Sequence, residues 1–271
     1  YRPSFLFYPV CTPCTPMFPL LAGKSYKLHL MLLLAASNMN SEAFAKFKSI
    51  LESVVYYTVI DKIATNITER TFALWCRDVR NIITVEDLDC FVKNTIIPTV
   101  NDWKLDNKSN FLRLGLNSMQ QYRIKFILGK ITAYVDALKL GKTTVEDLTT
   151  YTETAVEIEH IMPQTCTDKE LYGMDEEEFA VYINRLGNLT LLENTINRSI
   201  QNDVYANKAT YYKQSKFYIT SSISELVNLG QDTAINRTNS LLSSWSDWNK
   251  QAIEERQEMF YRLSEMIWEL R

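Results

Sequence analysis

Histidine is almost missing from this sequence: only His29 and His160 occur in 271 residues. Glycine and proline are scarce at seven each, and so few turn signals over this length favour helices. No apolar run approaches the roughly 20 residues that a spanning helix needs. The most apolar stretch, LHLMLLLAA at 28–36, stops at nine residues, carries His29 and follows Lys24 and Lys27; it reads as a buried helix with His29 as a core or edge residue. Cysteine is limited to Cys11, Cys14, Cys76, Cys90 and Cys166. An odd number in a chain of this size argues against a disulfide framework and fits a reducing cytosol. Cys11 and Cys14 have the C-x-x-C spacing of zinc ligands, but no second C-x-x-C or His pair follows to complete a tetrahedral site. There is no G-x-x-x-x-G-K-[ST], no G-x-G-x-x-G and no evident Ser-His-Asp arrangement. The net charge of −3 does not advertise nucleic-acid binding, although phosphate contacts need a local basic face and not a basic total.

What is present is ordinary globular material, 46% hydrophobic and 23% charged, enough for one or two domains. Residues 1–21 are rich in proline and aromatics and read as an irregular segment; YRPSFLFYPV, with no initiator Met, reads like the middle of a longer protein. Residues 22–149 read as a helical scaffold. Phe44, Phe47, Ile50, Leu51, Val54, Val55 and Tyr57 recur mostly at steps of three and four, one apolar face. Thr84 before Glu86 and Asp87 resembles a helix start, and residues 119–140 form another strong helical pattern with Gly141 as its cap. The texture changes near 150. AVEIEHIMP alternates like a strand and ends at Pro163. The acidic DEEEFAVYINRL (175–186) predicts a helix whose first turn suits the positive end of the dipole. Gly187 and Asn188 turn the chain, LTLLE (189–193) predicts a strand, and NTINRSIQ and NDVYANKATYYKQS predict helices. Residues 221–271 predict helix again, anchored by Trp245, Trp248, Ile253, Phe260, Leu263, Ile267 and Trp268.

EIEHIMPQT (157–165) is where chemistry concentrates. An acid–His pair at this spacing reads first as a salt-bridged structural imidazole. The alternative is a general base beside a metal ligand. Hydrolysis of a phosphodiester needs a base to deprotonate water and a metal to stabilise the phosphorane, and Mg²⁺ takes one or two oxygen side chains and keeps its waters. His160 has the right intrinsic basicity. Glu159, adjacent on a strand, would point to the opposite face unless the strand ends or bulges there. Arg185, Arg198, Lys208, Lys213 and Lys216 make 184–216 locally basic: a phosphate-contacting face or an ordinary solvated one. Tyr211, Tyr212 and Tyr218 suit packing better than base stacking.

Taken together, EHIMPQ, then NRLGNLTLLENTINRSIQNDVYANKATYYKQS, then WSDWNKQAIEERQEMFYRLSEMIW resemble the C-terminal HNH nuclease region of GmrSD-type, modification-dependent restriction enzymes and related phage-defence proteins. The resemblance covers residues 150–271 and extends over the helical part from about 22. It implies a mainly α chain with a small ββα-metal finger embedded in a C-terminal helical domain, 150–271, with the finger core at about 156–216. It implies His160 as general base, Glu159 and Asn197 as ligands of Mg²⁺ or Mn²⁺, and Asn188 as the residue that orients the histidine by a hydrogen bond and braces the loop. Glu157 is then a second acid behind the site or a solvated residue, and Arg185, Arg198 and Lys208 are expected on DNA. The implied function is a metal-dependent DNA endonuclease, by nicking, in bacterial cytoplasmic defence against phage. The DNA is phage or modified DNA, an NTPase and sensor domain lies N-terminal to this segment, no membrane is involved, and a double-strand cut needs a dimer or two nicks. The competing readings are a non-catalytic helical module that keeps the finger as a fold, and a nuclease directed at RNA.

Overall fold

The computed structural model describes residues 27–142, 145, 148–166, 169, 172–200 and 202–270. The chain divides into two compact units. One runs up to Phe111 and takes in Trp268 and the residues after it; the other is Leu112–Ile267. The expected segment 1–21, with Cys11 and Cys14, lies outside the described residues.

The first unit is a set of helices: α1 (Leu28–Ala35), α2 (Ser41–Ile60), α3 (Thr65–Val79), α4 (Val85–Phe91), α5 (Ile97–Trp103) and α6 (Asn107–Phe111). Helix α2 starts where the side chain of Asn40 accepts the amide of Ala43 at 2.8 Å. Its apolar face, Phe47, Ile50, Leu51, Val54 and Val55, is buried as the spacing predicts. Helix α4 starts at the expected Thr84, which forms a capping box with Asp87, satisfying two end donors at once. The ring of Tyr56 stacks on Trp268 at 3.9 Å between centroids. His29 is buried, and burial pushes its imidazole below the usual range.

The second unit carries the strands. Helix α7 (Gln121–Lys139) is followed by the short α8 (Thr149–Thr152), strand β1 (Val156–His160), α9 (Glu176–Tyr182), a 3-10 turn at Leu186–Asn188, strand β2 (Leu189–Glu193), α10 (Asn194–Ile200), α11 (Tyr205–Tyr212), α12 (Tyr218–Ser221), α13 (Ala234–Asn239) and α14 (Lys250–Ile267). The two strands pair antiparallel, with Glu157 opposite Leu192, Glu159 opposite Thr190 and His160 opposite Leu189. Among the described residues the sheet has these two strands, and a bare hairpin is marginal in water; α10, α12 and α7 pack against it. The fold is therefore mainly α with one ββα element, as the sequence suggests. The unit begins at Leu112 rather than near 150, because α7 packs on β2 and α14. The C-terminal region is also less helical than expected, with helix only at 234–239 and 250–267 beyond Ser221.

The 3-10 turn before β2 is held from both sides. The Leu186 amide donates to the carbonyl of Leu114 at 2.8 Å, and Leu116 donates to that of Asn184 at 2.9 Å. From the other side, the side chain of Gln257 on α14 accepts the Gly187 amide at 2.6 Å and donates to Leu114 O at 3.1 Å. Glycine is required at 187 by close approach: a Cβ there would stand 2.1 Å from the carbonyl oxygen of Ile253. Replacing Gly187 with Ala is expected to destabilise the unit by about 3 kcal/mol, the upper range for overpacking against backbone that has no rotamer to escape into. Thermal unfolding would show it, and a Tm equal to the parent's would mean that α14 does not seat on this turn.

Candidate active site

The site is built on the end of β1 and the turn that follows. His160 is buried, 8% exposed. Its Nδ1 lies 2.8 Å from the amide nitrogen of Gln164. Its Nε2 is buried with no partner. Burial, with the charge of Lys208 acting in the same direction and the side chain of Asn184 against it, brings the imidazole down to about 4. The ring is therefore neutral at pH 7; the side chain of Asn184 bears on it, but no described residue stands within hydrogen-bond distance of Nε2.

The acids before His160 go elsewhere. Pairing is regular through to His160, so no bulge relieves the alternation that sets Glu157 and Glu159 on the opposite face from the histidine. Glu159, expected as a metal ligand, is 7% exposed, and its carboxylate accepts from Lys208 Nζ at 2.6 Å and Tyr212 OH at 3.1 Å. Burial raises its pKa, with Lys208 the first of the groups opposing that rise. Asn197, the other expected ligand, meets Glu157 instead: its amide donates to Glu157 Oε2 at 2.7 Å. Both side chains are half-buried. A carboxylate touching an amide on a helix start is a hard-oxygen donor set suited to Mg²⁺ or Mn²⁺ once the amide presents its oxygen. Glu159, neutralised by an ammonium, is not. Among the described residues no group of three or more His, Cys, Asp and Glu side chains gathers for a metal.

Asn188 braces the loop but does not touch the imidazole. It is fully buried. Its Oδ1 accepts from the Met162 amide at 2.8 Å and from Trp248 Nε1 at 2.9 Å; its Nδ2 donates to Ile183 O at 2.9 Å. Its own carbonyl takes the Ile161 amide. The expected bond to His160 is absent because every polar atom of the side chain is already used, and Gln164 stands at the ring instead.

Of the three residues expected on DNA, Lys208 is excluded by its position. It is 1% exposed and donates to Glu159 and, at 2.7 Å, to the carbonyl of His160. An ammonium at that spot pins the strand end. Arg185 is half-buried, bonded to the Leu112 carbonyl and lying over the ring of Tyr182. Arg198 alone is exposed, one residue beyond Asn197 on α10. Lys213 is exposed and paired with Glu225 at 2.9 Å.

Several residues of the site carry no signal in the sequence. Arg256 on α14 is fully buried and donates to Gly187 O at 2.9 Å and Leu189 O at 2.7 Å, flanking Asn188. It lies against the ring of Phe260, and burial pushes its pKa down to about 9. Asn202 clasps the loop after β1: it accepts the Gln164 amide at 2.7 Å and donates to Thr165 O at 2.9 Å and to Thr165 Oγ1 at 2.6 Å. These residues act through backbone groups far away in sequence, which no local pattern announces.

No helix among the described residues is long and apolar enough to cross a membrane. No curated protein shows significant similarity to the chain. A family model does match: that of the C-terminal domain of GmrSD restriction endonucleases, over residues 101–263. That span is more than half of the chain and contains both strands, the turn braced by Asn188 and most of α14. The match, together with a ββα element carrying EHIMPQ across the end of its first strand and the loop that follows, shows that the chain belongs to the GmrSD restriction endonuclease family and carries its C-terminal domain.

Proposed function

We propose that this domain is an HNH-type endonuclease that hydrolyses DNA phosphodiesters with a divalent cation, by nicking, within a bacterial restriction system directed against phage. The observation that carries the reading is the imidazole of His160: buried, neutral, and with Nε2 unengaged. In this reading His160 takes a proton from the attacking water at that nitrogen. Lys208 and Asn188 hold the strand end and the loop around it, and Arg198, exposed beside Asn197, meets a backbone phosphate. Glu157 and Asn197 are the residues that would hold Mg²⁺ or Mn²⁺. A cation there would lie across β1 from His160 by the strand's alternation and would supply positive charge to the phosphates of DNA crossing the strand end. One finger has one such site and cuts one strand, so a double-strand break needs a second copy or a second nick. The bound DNA is phage or modified DNA, and its recognition belongs to a sensor domain outside this segment.

A supercoiled-plasmid assay in Mg²⁺ or Mn²⁺, with EDTA as control, tests this. The expected product is open circle, abolished by EDTA. Glu157→Gln and Asn197→Ala are expected to raise the metal concentration for half-maximal cutting by roughly tenfold or more, the scale on which metal sites respond to loss of one supporting group. Glu159→Gln is expected to act through stability. Cleavage of matched single-stranded RNA with the plasmid intact would overturn the choice of DNA. A metal requirement that follows Glu159 and ignores Glu157 would overturn the ligand assignment.

A further inference from the structure

The loop after β1 doubles back so that Gln164 returns to His160. Asn202 fixes its backbone by accepting the Gln164 amide and clasping Thr165. Asn188 fixes the preceding turn at Ile161 and Met162. The carboxamide of Gln164 is thereby delivered to Nδ1 of the imidazole, at 2.8 Å.

Which end of the carboxamide faces Nδ1 decides what the ring can do. A neutral imidazole has one N–H and one bare nitrogen, and the partner of one nitrogen dictates the state of the other. With the amide nitrogen toward Nδ1, the ring must carry its proton on Nε2. The side chain of Asn184 also bears on the ring, but no described residue puts an acceptor within hydrogen-bond distance of Nε2, so that N–H would be a buried donor without one, which is costly. A half-turn of the exposed carboxamide exchanges oxygen for nitrogen. Nδ1–H then donates to Oε1, no donor is stranded, and Nε2 presents a lone pair. Groups around the ring favour this neutral state. The ammonium of Lys208 disfavours imidazolium, and the carboxylate of Glu159 is engaged by that ammonium.

We propose that Gln164 is the positioning residue of His160: its carboxamide oxygen receives the Nδ1 proton and leaves Nε2 bare to act as the base. The inference deepens the reading of His160 as general base and rests on it for its purpose, but its physical content is a tautomer, which is measured without any substrate.

The chain's two histidines make the measurement direct. Ring ¹⁵N–¹H correlation spectra at pH 7 show two imidazoles, and His29→Gln identifies that of His160. The expected spectrum has His160 protonated at Nδ1. Gln164→Glu, which keeps an acceptor, retains that state. Gln164→Leu, which has none, moves the ring to the Nε2–H form that an unrestrained side chain favours and lowers kcat by about tenfold or more at unchanged metal dependence, the scale of misplaced general-base catalysis. A parent protein protonated at Nε2, or a folded Gln164→Leu variant that keeps the Nδ1–H form, would overturn the proposal. If Gln164→Leu fails to fold, the parent and Gln164→Glu spectra still decide it. An Nδ1–H parent with no nuclease activity would overturn the nuclease reading and leave the positioning role standing.

Discussion

Replacing Lys208 with Met is expected to destabilise the domain by about 3–5 kcal/mol, the cost of removing one partner from a buried ion pair and leaving the other charge uncompensated. Lys208 Nζ and Glu159 Oε1 are 2.6 Å apart, with side chains 1% and 9% exposed. The same ammonium also satisfies the carbonyl of His160, so the variant strands an acceptor as well as a carboxylate. For a unit of this size that is about 10 °C or more in Tm. The double variant Lys208→Met/Glu159→Gln is expected to recover part of the loss, because it no longer buries a lone charge and Tyr212 still has an oxygen to donate to. Calorimetry of the four proteins gives the coupling directly. Additive losses would mean that the pair does not act as a unit, and a Lys208→Met protein as stable as the parent would mean that the lysine sits in solvent.

His160→Ala is expected to lower plasmid nicking by roughly 10²–10⁴, the usual contribution of a general base, with a separate loss of stability from removing a buried ring bonded to Gln164, which thermal unfolding distinguishes from the loss of rate. The pH profile carries a second signature. An ordinary histidine base would lose activity as the pH falls through 6.5; this one, brought down to about 4 by burial and by Lys208, keeps the rate nearly flat to about pH 5. Stability follows the same titration with a definite sign. The unfolded chain takes up the proton near 6.5 and the folded chain only near 4, so His160 contributes a loss of stability as pH is lowered through that window and none above it. A rate limb at 6.5 would show that the ring is solvated in the working enzyme.

Much of the fold is legible from local signals. The period of α2, the Thr84 cap, the 119–140 helix and both strands follow from spacing and turn chemistry, and the structure places them within a residue or two, except that β1 ends at His160, three residues before Pro163. Asp175 caps α9 by accepting the Glu178 amide at 2.8 Å, though the helix ends at Tyr182, before the arginine that the pattern includes. The sequence singles out His160 but not the residues that the structure places around it. The acid next to His160 attracts notice, yet burial gives it to Lys208, whose place in an exposed-looking basic run conceals it. Asn188 is recognisable as a loop brace, but its carboxamide is claimed by Trp248 and Met162, so Gln164 stands at the ring. Two tryptophans read as core are core, at 9% and 1% exposed, and one of them also holds the key asparagine. Such double roles arise from tertiary geometry that sequence spacing does not encode.

The hold of α14 on the Gly187 turn has a consequence for synthesis. Gln257 lies 70 residues beyond the amide it accepts. Domains fold as units while the chain emerges, and the turn under Asn188 gains its bonds to Gln257 and Arg256 only after those residues have been made. Throughout that interval the nascent chain carries its histidine without the brace that holds the loop beside it, so the surroundings of His160 assemble late, when the domain is nearly complete.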